Sequence, residues 1–525
     1  MRNISILISF VFCFHLSFAQ ISVIKRTDLE INKKFGDNYK LLNLQEKGIL
    51  TIIESEESLK GSKKEFIIAK YDSTLQQNWA KSFIINYDSH IGQHYQDGDY
   101  IFFLINKDKK DYDILKLNIY TGDLQAIKYE KIAELDIAHF VAMGSVLLFG
   151  GTIDGRPVVV HYDYANSKPK VLPIINTLKA NINRLDICKQ DGSIFVLLTS
   201  NTNKKKESFY YNIFDAEGKL LTNTIVPYEK DYILYTFHPY LVSKNEQYLF
   251  GMYSLLAKDK AQGIYVAHIV NNEQDFIRFY DFAYFKNFFN YLAKRKDKLL
   301  SKIKEQREEG SIHKHDYSLL VRELSVSEDR ILLIADSYTP LYVEGGMNNF
   351  NSFNNFNMYG RNMSGMMNGM NQMNQRANYG NKTPSGYRYR HGIACAFDKN
   401  GKMMWDNSLE YKNLETKMKL EPQMYISTGK DSLTMIHLQD DKIHYKRTDK
   451  SLLVEEIKEV KIPSKEEAEQ LISDREDESL MHWYGDYFLM YGIQKLKTAS
   501  SSSRKVFYMS KLAYIPLKIE DKKAD

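Results

Sequence analysis

Residues 66–83 read FIIAKYDSTLQQNWAKSF, and residues 392–409 read GIACAFDKNGKMMWDNSL. In each, an apolar run ends in an aromatic residue and an aspartate, Tyr71-Asp72 and Phe397-Asp398. A polar stretch follows, and a tryptophan, Trp79 or Trp405, stands seven residues after the aspartate. Residues 209–226, FYYNIFDAEGKLLTNTIV, repeat the pattern with Asp215 and Gly218 but without the tryptophan. An apolar run, a tight turn and an alternating return segment read as strand–turn–strand. Their recurrence along the chain is the mark of a modular β architecture.

The segments upstream of these units are also patterned. QDGDYIFFLIN (96–106) and QDGSIFVLLTS (190–200) each place a polar turn before an apolar strand. A polar tip then leads into a second strand, YDILKLN (112–118) or SFYYNIFD (208–215). Equivalent strand-to-turn junctions are expected near Asp72, Asn118, Asp163, Asp215, Asn271, Asp398, Thr448 and Lys511. The early steps are about 45–55 residues, close to known propeller repeats. Four short antiparallel strands cannot bury both faces alone, and stacking such sheets radially does. The expected fold is therefore all-β, a seven- or eight-bladed β-propeller over residues 20–525, with residues 21–37 adding a closing strand.

The long step from Asn271 to Asp398 implies insertions. The first covers 281–316, where alternation gives way to helical spacing. Phe285, Phe289, Leu292, Leu299 and Ile303 fall near one face, lysines and Arg295 occupy the other positions, and Gly310 is the expected stop. That apolar face suits the propeller rim, a partner protein or, given its basic neighbours, a membrane surface. The second insertion, 345–386, is rich in Asn, Met and Gly and contains no acidic residue. With no periodic core pattern it is expected to be a disordered loop. Near the C-terminus, residues 463–477 carry Ser464 and Glu467 at capping-box spacing, the signature of a short helix.

Residues 1–19 read as a secretory signal peptide: Arg2, an apolar run from Ile4 to Phe18, and a cleavage site at Ala19 before Gln20. The expected location is periplasmic or extracellular, in a bacterial cell envelope. No later apolar run reaches the roughly 20 residues of a membrane span. Cys188 and Cys395 follow the signal segment, too few for a disulfide framework, and are expected to be buried thiols. The formal charge of +5 is small for 525 residues and the charges are mixed, which argues against nucleic-acid binding.

The unit apolar-Asp-x-x-Gly-x-x-x-Trp at Phe397, Asp398, Gly401 and Trp405 resembles the PQQ-like repeat of β-propellers. Tyr71, Asp72 and Trp79 match with Leu75 in the glycine position, and Phe214, Asp215 and Gly218 match without the tryptophan. The resemblance implies a tryptophan packed between neighbouring blades and an Asp–Gly-shaped turn. Some members hold PQQ and calcium and others only bind proteins. The absence of an adjacent-cysteine pair and the low tryptophan content place this chain with the non-catalytic branch.

No nucleophile elbow, phosphate-binding loop or His-Glu-x-x-His motif is present in the sequence. His90 and His94, and His313 and His315, are spaced as pairs without a further evident ligand. Met363, Met366, Met367, Met370 and Met373, with Met358 upstream, form a thioether run whose soft sulfurs suit Cu(I). Otherwise no cofactor is expected. The sequence thus favours a non-catalytic protein-interaction scaffold with envelope proteins as partners and peripheral contact with a membrane as a further option. The alternatives are an enzyme or small-ligand propeller with an axial site and a copper-binding protein.

Overall fold

A computed structural model describes residues 20–515. It leaves out 32–38, 56, 109–110, 130–133, 167, 179, 204–205, 226–231, 235, 256–259, 316, 328, 343–384, 418–419, 430–431, 440–441, 449–457, 462–469, 472–477 and 498–502. The described residues form eight antiparallel sheets, the blades of an eight-bladed β-propeller. Two compact units are distinguished, Leu29–Tyr425 and Met1–Asp28 with Ile426–Asp525.

Each blade is built in chain order. The first is Tyr39–Asn43, Ile49–Glu54, Lys63–Tyr71 and Gln77–Asn86. Position within a blade follows from the pattern of apolar residues. The second and third strands are covered on both faces, so they are nearly continuous apolar runs, as in Val146–Ile153 and Arg156–Asp163. The outer strand Gln77–Asn86 alternates exposed and half-buried positions along its length. Seven expected junctions, from Asp72 to Thr448, coincide with the ends of third strands, whereas Lys511 lies inside Ser503–Ile515.

The recurrent aspartates shape one turn. Asp72 Oδ1 accepts from the N–H groups of Thr74 (2.8 Å) and Gln76 (3.0 Å). Asp398 Oδ1 accepts from those of Asn400 (3.0 Å) and Lys402 (2.8 Å), and Asp215 Oδ1 from that of Lys219 (2.7 Å). The residue three after the aspartate has a left-handed backbone: φ is 62° at Leu75, 75° at Gly218 and 73° at Gly401. Glycine adopts this without cost, whereas Leu75 offsets the strain by burying its side chain.

In the unit Leu29–Tyr425, the turn of one blade rests on the preceding blade. The Trp79 indole donates to Ile119 O at 3.2 Å, and a Cβ at Gly122 would come within 2.9 Å of its ring. Tyr280 Oη donates to Gly401 O at 2.6 Å, Arg278 Nε donates to Asn400 O at 2.6 Å, and Phe276 covers Gly401. Trp405 is half-buried on the outer strand Met403–Lys417.

The last blade is completed by the N-terminal strand Gln20–Glu30, which pairs with Ser503–Ile515. Arg26 and Asp28, both nearly buried, pair at 2.7 Å; Arg504 adds a contact to Asp28 at 3.3 Å. Arg26 also donates to Gln494 at 2.8 Å and lies over the Tyr508 ring. Trp483, in the first strand Ser479–Tyr484, is fully buried. The helix expected at 463–477, with Ser464 and Glu467, lies outside the described residues except for Gln470–Leu471, which form a short strand against Leu496 and Lys497.

Expected outcome: Gly401→Ala adds a methyl group at positive φ and against Phe276. The variant should lose about 2–4 kcal/mol of stability, read as a lower midpoint in urea. A double variant with Phe276→Ala should lose less than the sum of the two single changes, because the clash is removed.

Candidate functional site

The helical insertion is shorter than its periodicity suggests. Phe282–Tyr284 and Asn290–Arg295 are 3-10 turns, and the α-helix covers Lys296–Glu308. Gly310, with φ 76°, follows its end. Phe285, Phe289 and Ile303 are buried, and Leu292 and Leu299 pack beside them. Their core includes Phe250 and Val266 of the fifth blade and Leu333 and Ile393 of the sixth. The five apolar side chains are thus used within the chain, and the helix presents charged residues such as Lys298, Lys302 and Lys304 outward.

Polar anchors hold the insertion at both ends. Asp281 accepts from Ala283 N (2.8 Å), Gln262 Nε2 (2.6 Å) and His315 Nε2 (2.9 Å). Burial opposes ionisation of Asp281, but these partners outweigh it and hold its carboxyl below the ordinary range. Asp406, on the outer strand of the sixth blade, accepts from Lys286 N (2.9 Å) and Asn287 N (2.7 Å). Ser408 Oγ donates to Asn287 O at 2.8 Å. Burial nevertheless pushes the Asp406 carboxyl up.

Each histidine of the two pairs is engaged by nearby groups. His90 contacts Asn106 at 3.0 Å, while His94 packs on Phe103 and is pushed down to about 4 by burial. His313 meets Gln306 at 2.7 Å, and His315 is held by Asp281. Among the described residues no group of three His, Cys, Asp or Glu side chains is placed to hold a metal. The methionines Met358, Met363, Met366, Met367, Met370 and Met373 lie outside the described residues. Cys188 and Cys395 are buried free thiols, and burial raises the pKa of both.

The sequence reading missed two sets of buried polar side chains. The first lies on the first strands of blades three to five: Asp136–Met143, Ala180–Ile187 and His238–Ser243. Ladder shifts fall between Ile137 and His139 and between Ile182 and Arg184, where bulges re-aim side chains. His139 Nε2 meets Ile182 O at 3.1 Å, but its Nδ1 has no hydrogen-bond partner. Asn183 Oδ1 and both ring nitrogens of His238 are also buried without partners. Arg184, paired with Asp186 at 2.8 Å, stands among them. Burial, reinforced by the Arg184 charge, pushes His238 down to about 3, so its imidazole is neutral near pH 7. Such an array can hydrogen-bond a small polar molecule.

The second set centres on Asp336, fully buried in the second strand of the sixth blade, Ile331–Leu341. Its carboxylate accepts from Tyr411 Oη, from Gln423 N at 3.0 Å and from Met424 N at 3.3 Å. Arg322 donates to Met424 O at 2.5 Å and stacks on Tyr425. Burial dominates and pushes Asp336 up to about 6 despite its donors. The neighbouring Ser337 faces His391 across the ladder; Ser337 Oγ and both ring nitrogens of His391 are buried without partners. Phe288 and Tyr291 of the insertion cover His391.

No protein-family model matches the chain, and no curated protein does. Solved structures similar to it include a prolyl endopeptidase, at 9% identity and TM-score 0.37, over 80% of this chain and 50% of the other. The β-propeller domain of the Trilobed protease from Pyrococcus furiosus aligns at 9% identity and TM-score 0.32, over 80% and 95%. The polysaccharide lyase Uly1 aligns at 8% identity and TM-score 0.37, over 93% and 100%. The chain spans about half the length of the first of these. The propeller assignment rests on the chain's own sheets.

Asp336 sets a measurable pH dependence. Its folded pKa of about 6 lies above the ordinary 3.8, so its ionisation opposes folding. The penalty is absent below about pH 4, develops through the folded pKa and is complete above it, at roughly 3 kcal/mol. Asp336→Asn should therefore gain stability relative to the parent chain between pH 4 and pH 7, measured as the difference in urea midpoint at each pH.

Proposed function

We propose that this chain is an exported, non-catalytic β-propeller that serves as a protein-interaction scaffold in a bacterial cell envelope. The carrying observation is the anchored insertion between the fifth and sixth blades. It is fixed by Asp281, Asp406 and Ser408 and by an aromatic core, and displays a charged outer face. A rigid, charged projection is suited to recognising a protein surface, since little ordering cost remains to be met on binding. The Asn- and Met-rich segment, of which 345–384 lies outside the described residues, falls in sequence between the strands Ile331–Leu341 and Gly386–Phe397 of the sixth blade. Both elaborations therefore arise on adjoining stretches of the fold. Export rests on the signal-peptide pattern of residues 1–19, with Arg2, the apolar run Ile4–Phe18 and Ala19 before Gln20. The Asp–Gly turns at Asp215 and Asp398 and the interblade Trp79 support placement with PQQ-like repeats.

The test is crosslinking and purification of the mature protein from its native envelope. Three forms are compared: full length, a deletion of residues 345–383, and Lys298→Glu with Lys302→Glu. A discrete partner lost from either variant is the expected result. Recovery of no specific partner with any form would overturn the scaffold reading.

One observation favours a second reading. The unpartnered Asn183 and His238 atoms, beside Arg184, would suit a small polar ligand on the first strands. A ligand released on denaturation of the purified protein, identified by mass spectrometry and lost from Asn183→Leu, His238→Leu protein, is expected if that reading holds.

A further inference from the structure

We propose that the outer strand of the fourth blade, Leu220–Ile225, is a self-complementary edge through which two copies of this chain pair. The strand reads LLTNTI and carries neither charge nor proline. It pairs with Lys206–Phe214 on one side, and among the described residues no strand pairs with its other side. Leu221 and Ile225 are 45% and 57% exposed.

Exposed strand edges are ordinarily protected by charges, prolines or shortness. The other outer strands follow that rule. Lys81 lies in the first blade's, Pro169 in the third, Arg278 in the fifth, Lys412 in the sixth, Glu459 in the seventh and Lys25 in the eighth. The second blade's outer strand is uncharged but only four residues long, Leu124–Ile127. The fourth blade departs from the pattern over six residues.

The sequence of the strand points to a second copy as its occupant. Leu221, Asn223 and Ile225 are exposed, whereas Thr222 and Thr224 are half-buried. Alternation puts the first three on one face. An antiparallel pair of identical strands with its two-fold axis at Asn223 sets Leu221 opposite Ile225 of the second copy, and Asn223 opposite its own equivalent. Thr222 then faces Thr224. Each apolar exposed residue meets an apolar one, the two amides can hydrogen-bond, and no like charges face each other. The same operation on a charged outer strand places charged side chains near the axis. The ladder to Lys206–Phe214 is regular from Thr222 to Ile225, and its shift leaves Leu221 as the extra residue beside Leu220, so the register offered to a partner strand is that of Thr222–Ile225, centred near Asn223. An edge this short buries less than a standard interface, so the dimer is weak and concentration-dependent.

Sedimentation velocity of the mature full-length chain, from about 1 to about 300 μM, tests the pairing. The weight-average mass should rise toward that of a dimer. Asn223→Asp and Asn223→Lys each place like charges opposite one another at the axis and should remain monomeric. An equimolar mixture of the two should recover dimer. Asn223→Cys should give a disulfide-linked dimer on mild oxidation, since Cys188 and Cys395 are buried. Circular dichroism melts check that the exposed substitutions leave the fold intact. A parent chain that stays monomeric and an Asn223→Cys form that does not crosslink would overturn the proposal. Dimerisation of both charged variants to the parent's extent would overturn it equally, by placing the contact elsewhere.

Discussion

The contact on which the fold most depends is the seating of a tight turn from one blade on the outer part of the preceding blade. The turn has to bring backbone carbonyls close to another sheet, and those carbonyls need donors once covered. Trp79 supplies an indole N–H to Ile119 O, and Tyr280 and Arg278 supply theirs to Gly401 and Asn400. A side chain at the turn's tightest point would hold the sheets apart, which is why Gly122 meets the Trp79 ring directly. The aspartate that opens the turn has the complementary task of satisfying its free N–H groups. Thus the recurrent Asp and Gly are consequences of one geometric demand, and the aromatic residue on the preceding blade is its counterpart.

That demand explains why the repeat was legible where it was. Asp72, Asp215 and Asp398 sit where the backbone needs a local acceptor, so they recur at the same point of the turn although the surrounding strands differ in sequence. Tryptophan is less strictly required. Phe276 and Leu172 do similar work at Gly401 and Gly218, and no fixed residue type marks them in the sequence. The helix spacing at 281–309 was legible for the same reason that it was incomplete: apolar residues recur because they face a core, but Phe285 and Phe289 reach that core from turns. Periodicity reports burial, not which backbone conformation achieves it.

The buried polar groups were less accessible to sequence reading. Asp336 stands in ILLIADSY, and a carboxylate inside an apolar strand is itself a signal. Its partners Tyr411, Gln423 and Met424 come from segments 75 to 88 residues away and cannot be inferred from local pattern. Asn183 is harder still, because a first-strand bulge decides which way its side chain turns, and bulges leave little trace in composition; His238 stands in a regular part of its strand with nothing local to mark it as buried. These residues cost desolvation energy that apolar replacements would avoid. For Asp336 the return is structural: one carboxylate orders the backbone at Gln423 and Met424, immediately before the next blade's first strand.

The insertion shows how the same physics converts a sequence feature into a surface. Its aromatic residues extend the core between the fifth and sixth blades, and therefore cannot also serve as the exposed half of a docking groove. What they accomplish is to fix the orientation of Lys296–Glu308 against the propeller. Asp281 and Asp406 strengthen this by holding backbone N–H groups at separate points of the preceding loop. With its apolar face covered, the helix can distinguish partners only through charge and shape on its outer face. Electrostatic contacts of this kind govern encounter rate and orientation more than the depth of binding. A recognition role for the insertion thus requires additional contact area from another part of the chain, and the adjoining 345–386 segment is rich in the aromatic and methionine side chains that adapt to such surfaces.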